Sequence, residues 1–433
     1  MRKFAGILAA GLAAVTLLSA CGSAASGKAN TPAPEQTANE AAFVPSLDTE
    51  KNVTLNVGSF FGNFEALIEV QNDFNVFYPN FNLEIQNIGR SDMPDFFTNN
   101  PNLDIFMTSN TRGYPVDHCV DLLSAGVDVS GARQDVIEGN KIDGILYALP
   151  MSLNLKGMVV NKTLLQKEGL SVPETWPEFL ETLEALKQKG YTPIQGPNAA
   201  VANLCYNMGM VMLAQDDALL QAVQSGKAEN AAGMNAVFDR LDALMEKGYI
   251  STAVNAEYPD DNYDGAILKF FEGDVPFWVC DTEKVSGMKK RESKSEAFSA
   301  NPFDYTFLYA PTGDNGAYKY VEPWYGFAVN RDSSQQDYAI EFLRSMARRE
   351  ELNTLASVKG VPSIALGSND SRYAELDSTK IEASVVSNGT VSPYFATCLT
   401  SAANKLLTGE LPDAAAATAS FVAACAAGEA ENG

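Results

Sequence analysis

Val53, Leu55 and Val57 alternate with polar neighbours, which predicts a short strand stopping at Gly58. Leu67, Ile68 and Phe74 then fall near helical spacing ahead of Pro79, and Leu83 with Ile85 predicts a second strand. Leu103, Ile105 and Met107 form a third apolar run, closed by the polar Ser109-Asn110-Thr111. Strand, helix and strand joined by so long a connection imply a right-handed parallel crossover and therefore an α/β sheet.

From Tyr147 an apolar stretch runs to Leu153, and a second apolar segment ends at Val159-Val160-Asn161-Lys162. Thr175 and Glu178 have capping-box spacing around Pro177, and Trp176, Phe179, Leu180, Leu183 and Leu186 make one apolar stripe that stops at Gly190. Such a stripe packs a core, so no chemistry is assigned to it. Further strands are expected at Val275–Val279, Tyr305–Tyr309 and Gly326–Asn330. Ser334 and Asp337 are expected to cap a helix that turns Ala339, Phe342, Leu343 and Met346 inward, and Ala414–Ala427 reads as a terminal helix.

The first residues have a different character. Met1-Arg2-Lys3 precedes an apolar run from Phe4 to Leu18 and the small residues Ser19-Ala20 before Cys21. This is the layout of a secretory signal peptide over 1–20, too short for a comfortable membrane span. Leu18-Ser19-Ala20-Cys21 resembles the bacterial lipobox, which implies a diacylglyceryl group on Cys21 and an anchor on the outer face of the membrane. Residues 21–45 are rich in Ala, Ser, Asn, Thr and Pro, a composition that cannot order itself and predicts a flexible tether.

The chain has 433 residues, 31 Lys+Arg against 54 Asp+Glu, and a formal net charge of -23. Phosphate neutralisation needs basic patches, so nucleic-acid binding is excluded. With His118 as the sole histidine, a multi-histidine metal site is excluded too. Cys119, Cys205, Cys280, Cys398 and Cys425 show no C-x-x-C spacing and read as buried thiols acting as small apolar residues.

Three segments in order carry a family resemblance: Gly144-Ile145-Leu146-Tyr147-Ala148-Leu149-Pro150, then Val160-Asn161-Lys162, then Pro173-Glu174-Thr175-Trp176. Phe271-Glu272-Gly273-Asp274, Pro311-Thr312 and the stretch Gly326–Met346 support them. Together with the lipobox, the chain resembles the extracellular solute-binding lipoproteins of ABC importers, in the large sugar-binding group typified by maltose-binding protein. The resemblance implies an α/β fold of two lobes joined by a multi-strand hinge, closing around ligand and docking on a permease. The expected division is 46–150 plus 311–350 for one lobe and 151–310 plus 351–433 for the other, with crossings near Leu149–Leu153 and Pro311. A monomer without catalytic activity or cofactor is implied.

Sugars show hydroxyl rims and apolar C–H faces, so a sugar cleft needs aromatic platforms with carboxylates and amides. Candidates lie just past strand ends, where open α/β sheets bind ligands. They are Phe60, Phe61 and Asn63; Ser109, Asn110 and Thr111; Asn154 at the hinge; Asn203 and Tyr206; and Trp324 with Tyr325, of which Trp324 stands out. Many sugar binders carry Gly-x-Trp where this chain has Asp281-Thr282-Glu283, so Trp278 is the possible substitute platform, and Asp281 and Glu283 become candidates for hydroxyls or a cationic group. A polyamine or peptide ligand is therefore an alternative, and a lipid-anchored glycosidase using Asp281 and Glu283 a further one. Asp260-x-Asn262-x-Asp264-Gly265 begins like a calcium loop, but its twelfth position is Phe271, and Asp264 as a helix N-cap explains it more simply.

Overall fold

The computed structural model describes residues 42–61, 64–88, 96–109, 115–258, 263–365, 371–376 and 378–432. The leader, Cys21, most of the expected tether, Asn63, Asn110, Thr111, Asp260 and Asn262 lie outside the described residues. Phe43, at the expected end of the tether, is already buried against Phe74 and Phe77.

The strands, in chain order, are β1 (Val53–Ser59), β2 (Phe81–Asn87), β3 (Ile105–Ser109), β4 (Leu149–Pro150), β5 (Leu153–Asn154) and β6 (Lys156–Asn161). They continue with β7 (Ile194–Gln195), β8 (Phe277–Asp281), β9 (Tyr305–Leu308), β10 (Ala317–Pro323), β11 (Tyr325–Val329) and β12 (Ile381–Val386). One sheet has the order β2-β1-β3-β11-β4, a second β7-β8-β6-β9, and a third, three-stranded, β12-β10-β5. β1 is parallel to β2 and β3, as the strand–helix–strand pattern requires, whereas β11 runs antiparallel to β3 and β4.

Two of the places where the chain changes sheet lie side by side. β4 pairs with β11 in the first sheet, and after Met151-Ser152 the chain re-enters as β5, paired with β10. Conversely, β10 leaves the small sheet at Pro323 and β11 joins the first sheet at Tyr325, so Trp324 alone makes the step. The Trp324 amide donates to the Ser152 carbonyl at 2.8 Å and the Met151 amide to the Tyr325 carbonyl at 2.9 Å, which ties the two crossings together. The chain also leaves the four-stranded sheet between β9 and β10, the stretch that contains Pro311.

The helices follow their sequence signals with informative exceptions. Thr175 caps Trp176–Gln188 through the Glu178 amide, and Phe179, Leu183 and Leu186 are fully buried. Ala66, Leu67, Val70 and Phe74 form the buried face of Glu65–Phe74, but Ile68 points out and is 44% exposed. The helix expected after Ser334 begins at Gln336; Gln335 is its N-cap without a side-chain bond, and Asp337 lies in its first turn. Asp264 likewise lies in the first turn of Tyr263–Phe270 instead of capping it, its carboxylate taken by Arg291. Trp278 is buried and stacked 5.4 Å from Phe270, so it fills the core and offers no platform. Helix Arg349–Lys359 packs on helix Glu65–Phe74, across the expected boundary at 350. All five described cysteines are buried free thiols.

Candidate functional site

The two crossings bring several loops to one place. β1 ends in Phe60-Phe61, Trp324 steps between β10 and β11, and β8 runs into the short helix Thr282–Ser286. Thr282 fixes that helix to the hinge: its buried hydroxyl accepts from the Leu155 amide at 3.1 Å and donates to the Leu153 carbonyl at 3.2 Å. A hydroxyl satisfied on both sides inside a core holds its two segments in one register.

Around this junction opens a cavity of about 780 Å³ whose lining includes Phe61, Trp324, Glu283, Lys359 and Arg372. The Phe61 and Trp324 rings meet edge to face with centroids 5.8 Å apart. Lys359 ends helix Arg349–Lys359 and is followed by Gly360, a left-handed C-cap at φ 75°. A Cβ at Gly360 would sit 2.9 Å from both Arg372 guanidinium nitrogens, and the left-handed φ favours glycine at this turn. Arg372 is itself buried and donates to the Val285 carbonyl at 3.3 Å.

A second cavity, about 340 Å³, is lined by Asn154, Lys156, Asn203, Tyr206 and Glu322, with Tyr394 and Thr397 opposite. Asn154 and Glu322 are direct partners in the β5–β10 register. The Tyr206 hydroxyl hydrogen-bonds Glu322, and Asn207 bridges the Lys156 carbonyl at 2.8 Å and the Tyr320 amide at 3.2 Å. Lys156 reaches the Asp281 carboxylate at 3.1 Å, while the other Asp281 oxygen accepts from the Lys284 amide at 3.0 Å.

The charges of this network tune one another. Burial alone would pull the Lys156 ammonium down, but Asp281, Glu322 and Glu283 outweigh it and hold its pKa above the ordinary lysine value. Asp281 shows the counterpart: burial opposes its charge, and Lys156 with Lys284 keeps its pKa low. Burial raises Glu322 in spite of Tyr206 and Lys156. Burial lowers Lys359, with Glu283 partly offsetting it.

Of the residues read from sequence, Phe61, Trp324 and Glu283 share the larger cavity, and Asn154, Asn203 and Tyr206 share the smaller. Asp281 lies between as an ion-pair partner and helix cap. Phe60 is half-buried against the core, and Tyr325 is buried opposite Ser109 in the β3–β11 register. Sequence reading missed Lys156, Asn207, Glu322, Lys359 and Arg372. For Lys156 and Glu322 a signal exists: each is a charge interrupting an apolar strand pattern. Lys359 and Arg372 arrive from distant segments with no such mark.

The pattern that defines the bacterial extracellular solute-binding proteins matches residues 93–380. The chain belongs to that family. A 53-residue stretch is 42% identical to the "Multiple sugar-binding protein" of Streptococcus mutans, covering 12% of this chain and 13% of that relative's length. Among solved structures, the sugar-binding protein MalE from Xanthomonas citri superposes with a TM-score of 0.67 at 17% identity, over 88% of this chain and 99% of the other. The apo form of RafE from Streptococcus pneumoniae gives 0.64 at 17% identity, over 88% and 100%. These likenesses establish the two-lobed binding-protein fold.

Proposed function

We propose that this chain captures a carbohydrate between two lobes on the outer face of the cell membrane and passes it intact to the permease of an ABC importer. The observation that carries the reading is the larger cavity at the crossing strands, where Phe61 and Trp324 present aromatic surface beside Glu283, Lys359 and Arg372. Aromatic rings meet the apolar faces of a sugar, and charged groups ringed around them take its hydroxyls. The relatives named as sugar-binding proteins lend support. The lobes meet along the β4–β5 and β10–β11 crossings, and closure is rotation about them.

The protein releases its ligand chemically unchanged. Asp281, one of the two carboxylates considered for a glycosidase, is engaged as the ion-pair partner of Lys156 and the acceptor of the Lys284 amide, a structural role that supports the non-catalytic reading. The tether is a lipid on Cys21. A thermal-shift panel of mono- and oligosaccharides tests the ligand class: at least one sugar should raise the melting temperature, and a response to polyamines or peptides alone would reject it. Incorporation of labelled palmitate, abolished in Cys21→Ser, tests the anchor; label retained in that variant would reject it.

A further inference from the structure

Helix Pro393–Leu407 turns through a short connection into helix Ala414–Asn432, so the two run antiparallel, and they pack on each other and on one core. The second of them has little to pack with. Phe421 and Val422 are its only large apolar residues, and most of the rest is alanine. Such a helix buries little per turn, and a chain end frays unless something ties it down. What it has instead is close approach. A Cβ at Gly428 would fall inside the Tyr394 ring, so the bare backbone there lets the two helices come together.

One turn inward from that contact lie two cysteines. Cys398 is a turn beyond Tyr394 on one helix, and Cys425 is a turn before Gly428 on the other, which places them on the same antiparallel seam. Both are buried, and their side chains are hydrogen-bond partners. The remaining cysteines are engaged differently: Cys119 donates to the Pro115 carbonyl at 3.4 Å and Cys205 to the Val237 carbonyl at 3.6 Å. Burial pushes both of those thiols, and that of Cys280, up, which makes them inert. At Cys398 the hydrogen bond with Cys425 outweighs burial and, helped by Tyr394, draws the thiol down to about 7. A thiolate is then accessible near neutral pH, and the thiolate is the form that attacks a disulfide.

We propose that Cys398 and Cys425 are a modification site, joined in the exported protein by a disulfide that pins the terminal helix to its neighbour. Extracellular proteins meet the oxidising conditions such a bond needs, and this family is extracellular. Two thiols in hydrogen-bond contact on facing helices need only a modest turn of each side chain to bond. The oxidant is an external disulfide, that of a thiol–disulfide oxidoreductase or of a small molecule. The Cys398 thiolate attacks one of its sulfurs, forming a mixed disulfide and expelling the other sulfur as a thiolate. Cys425 then gives up its proton and attacks the Cys398 sulfur, which forms the Cys398–Cys425 bond and expels the second thiolate. Two electrons pass to the oxidant, and the two cysteine protons end on its thiols. Because both sulfurs are sealed in the folded chain, the exchange accompanies folding, before the helices close. Tyr394 and Thr397 also line the smaller cavity, so the bond braces a helix that forms part of its wall.

The test uses the full chain recovered without reductant from cells that export it. Denaturation, alkylation with iodoacetamide and peptide mapping should find the Cys398 and Cys425 peptides joined and unlabelled, with Cys119, Cys205 and Cys280 each labelled. Reduction with a phosphine should part the pair, open both to label and lower the melting temperature by roughly 3–8 °C. In Cys425→Ala, Cys398 should take label without reduction, and the melting temperature should no longer respond to the phosphine; Cys398→Ala serves if that variant does not fold. Labelled thiols at both positions in the unreduced parent, a link from either to another cysteine, or a parent melting temperature indifferent to reductant would overturn the inference.

Discussion

The Lys359 ammonium lies 3.7 Å from the centroid of the Phe61 ring, on the aromatic wall of the larger cavity. One helix C-terminus thereby closes onto the loop that follows β1, and the cavity contains its own cation before any ligand arrives. A carbohydrate taken in this cavity, as proposed, would bind beside that cation or move it.

Trp324 is the other aromatic face, and its backbone is already engaged in tying the crossings together. Truncating the side chain should leave that bond in place. Trp324→Ala is expected to weaken carbohydrate binding by about 1–3 kcal/mol with little change in unfolding midpoint. Titration shows this directly, and an unaltered dissociation constant would remove Trp324 from the site.

Gly360 is expected to be intolerant of any side chain. Its φ of 75° disfavours other residues, and an added Cβ meets the Arg372 guanidinium at 2.9 Å. Gly360→Ala should cost about 1–2 kcal/mol of stability from the backbone term, more if Arg372 cannot yield. Because Lys359 and Arg372 both move, affinity should fall as well. Urea unfolding paired with titration separates the two effects; a variant matching the parent in both would contradict the packing described.

Glu351 and Glu341 give opposite pH dependences. Burial, with Asp73 nearby, raises Glu351 to about 7, whereas the hydrogen bonds from Tyr78 and Ser46 and the Arg344 guanidinium overcome burial and hold Glu341 below its ordinary value. Stability from Glu351 is present below the usual glutamate range and is lost as pH rises through about 7. Stability from Glu341 is present above the usual range and is lost as pH falls through its lowered value. Glu351→Gln should therefore stabilise the protein at pH about 8, by roughly 1–3 kcal/mol, and do little near pH about 4. A gain of equal size at both pH values in denaturant melts would refute the assignment.

Thr282 tests the hinge staple. In Thr282→Val the shape is kept but the Leu155 amide loses its acceptor inside the core. The expected loss is about 1–3 kcal/mol in apo-protein unfolding. A loss within about 0.5 kcal/mol would mean the staple carries no stability of its own.

The strands from β1 to β3 were legible because their alternation and the parallel crossover follow from local pattern alone. The cap at Thr175 was legible for the same reason. The start of the helix at Gln336 was not, since Ser333, Ser334 and Gln335 offer competing caps; the Ser333 hydroxyl accepts from the Gln335 amide instead. Trp278 misled because an aromatic in an apolar strand carries no mark of which face is buried, and here the Phe270 ring covers it. Within the candidate site, Phe61 and Trp324 line one cavity and are legible because each follows directly on a strand. Lys359 and Arg372 are not: a lysine at a helix end and an arginine beyond a loop have many exposed roles, and only the tertiary turn at Gly360 makes them neighbours.

The most direct check is calorimetric titration of the lipid-free chain with a broad saccharide panel, followed by chromatography of the sugar released on denaturing the complex. A gripping clamshell predicts saturable one-to-one binding of at least one saccharide, recovered at its original length. Absence of saturable binding across the panel, or recovery of shortened sugar, would contradict it.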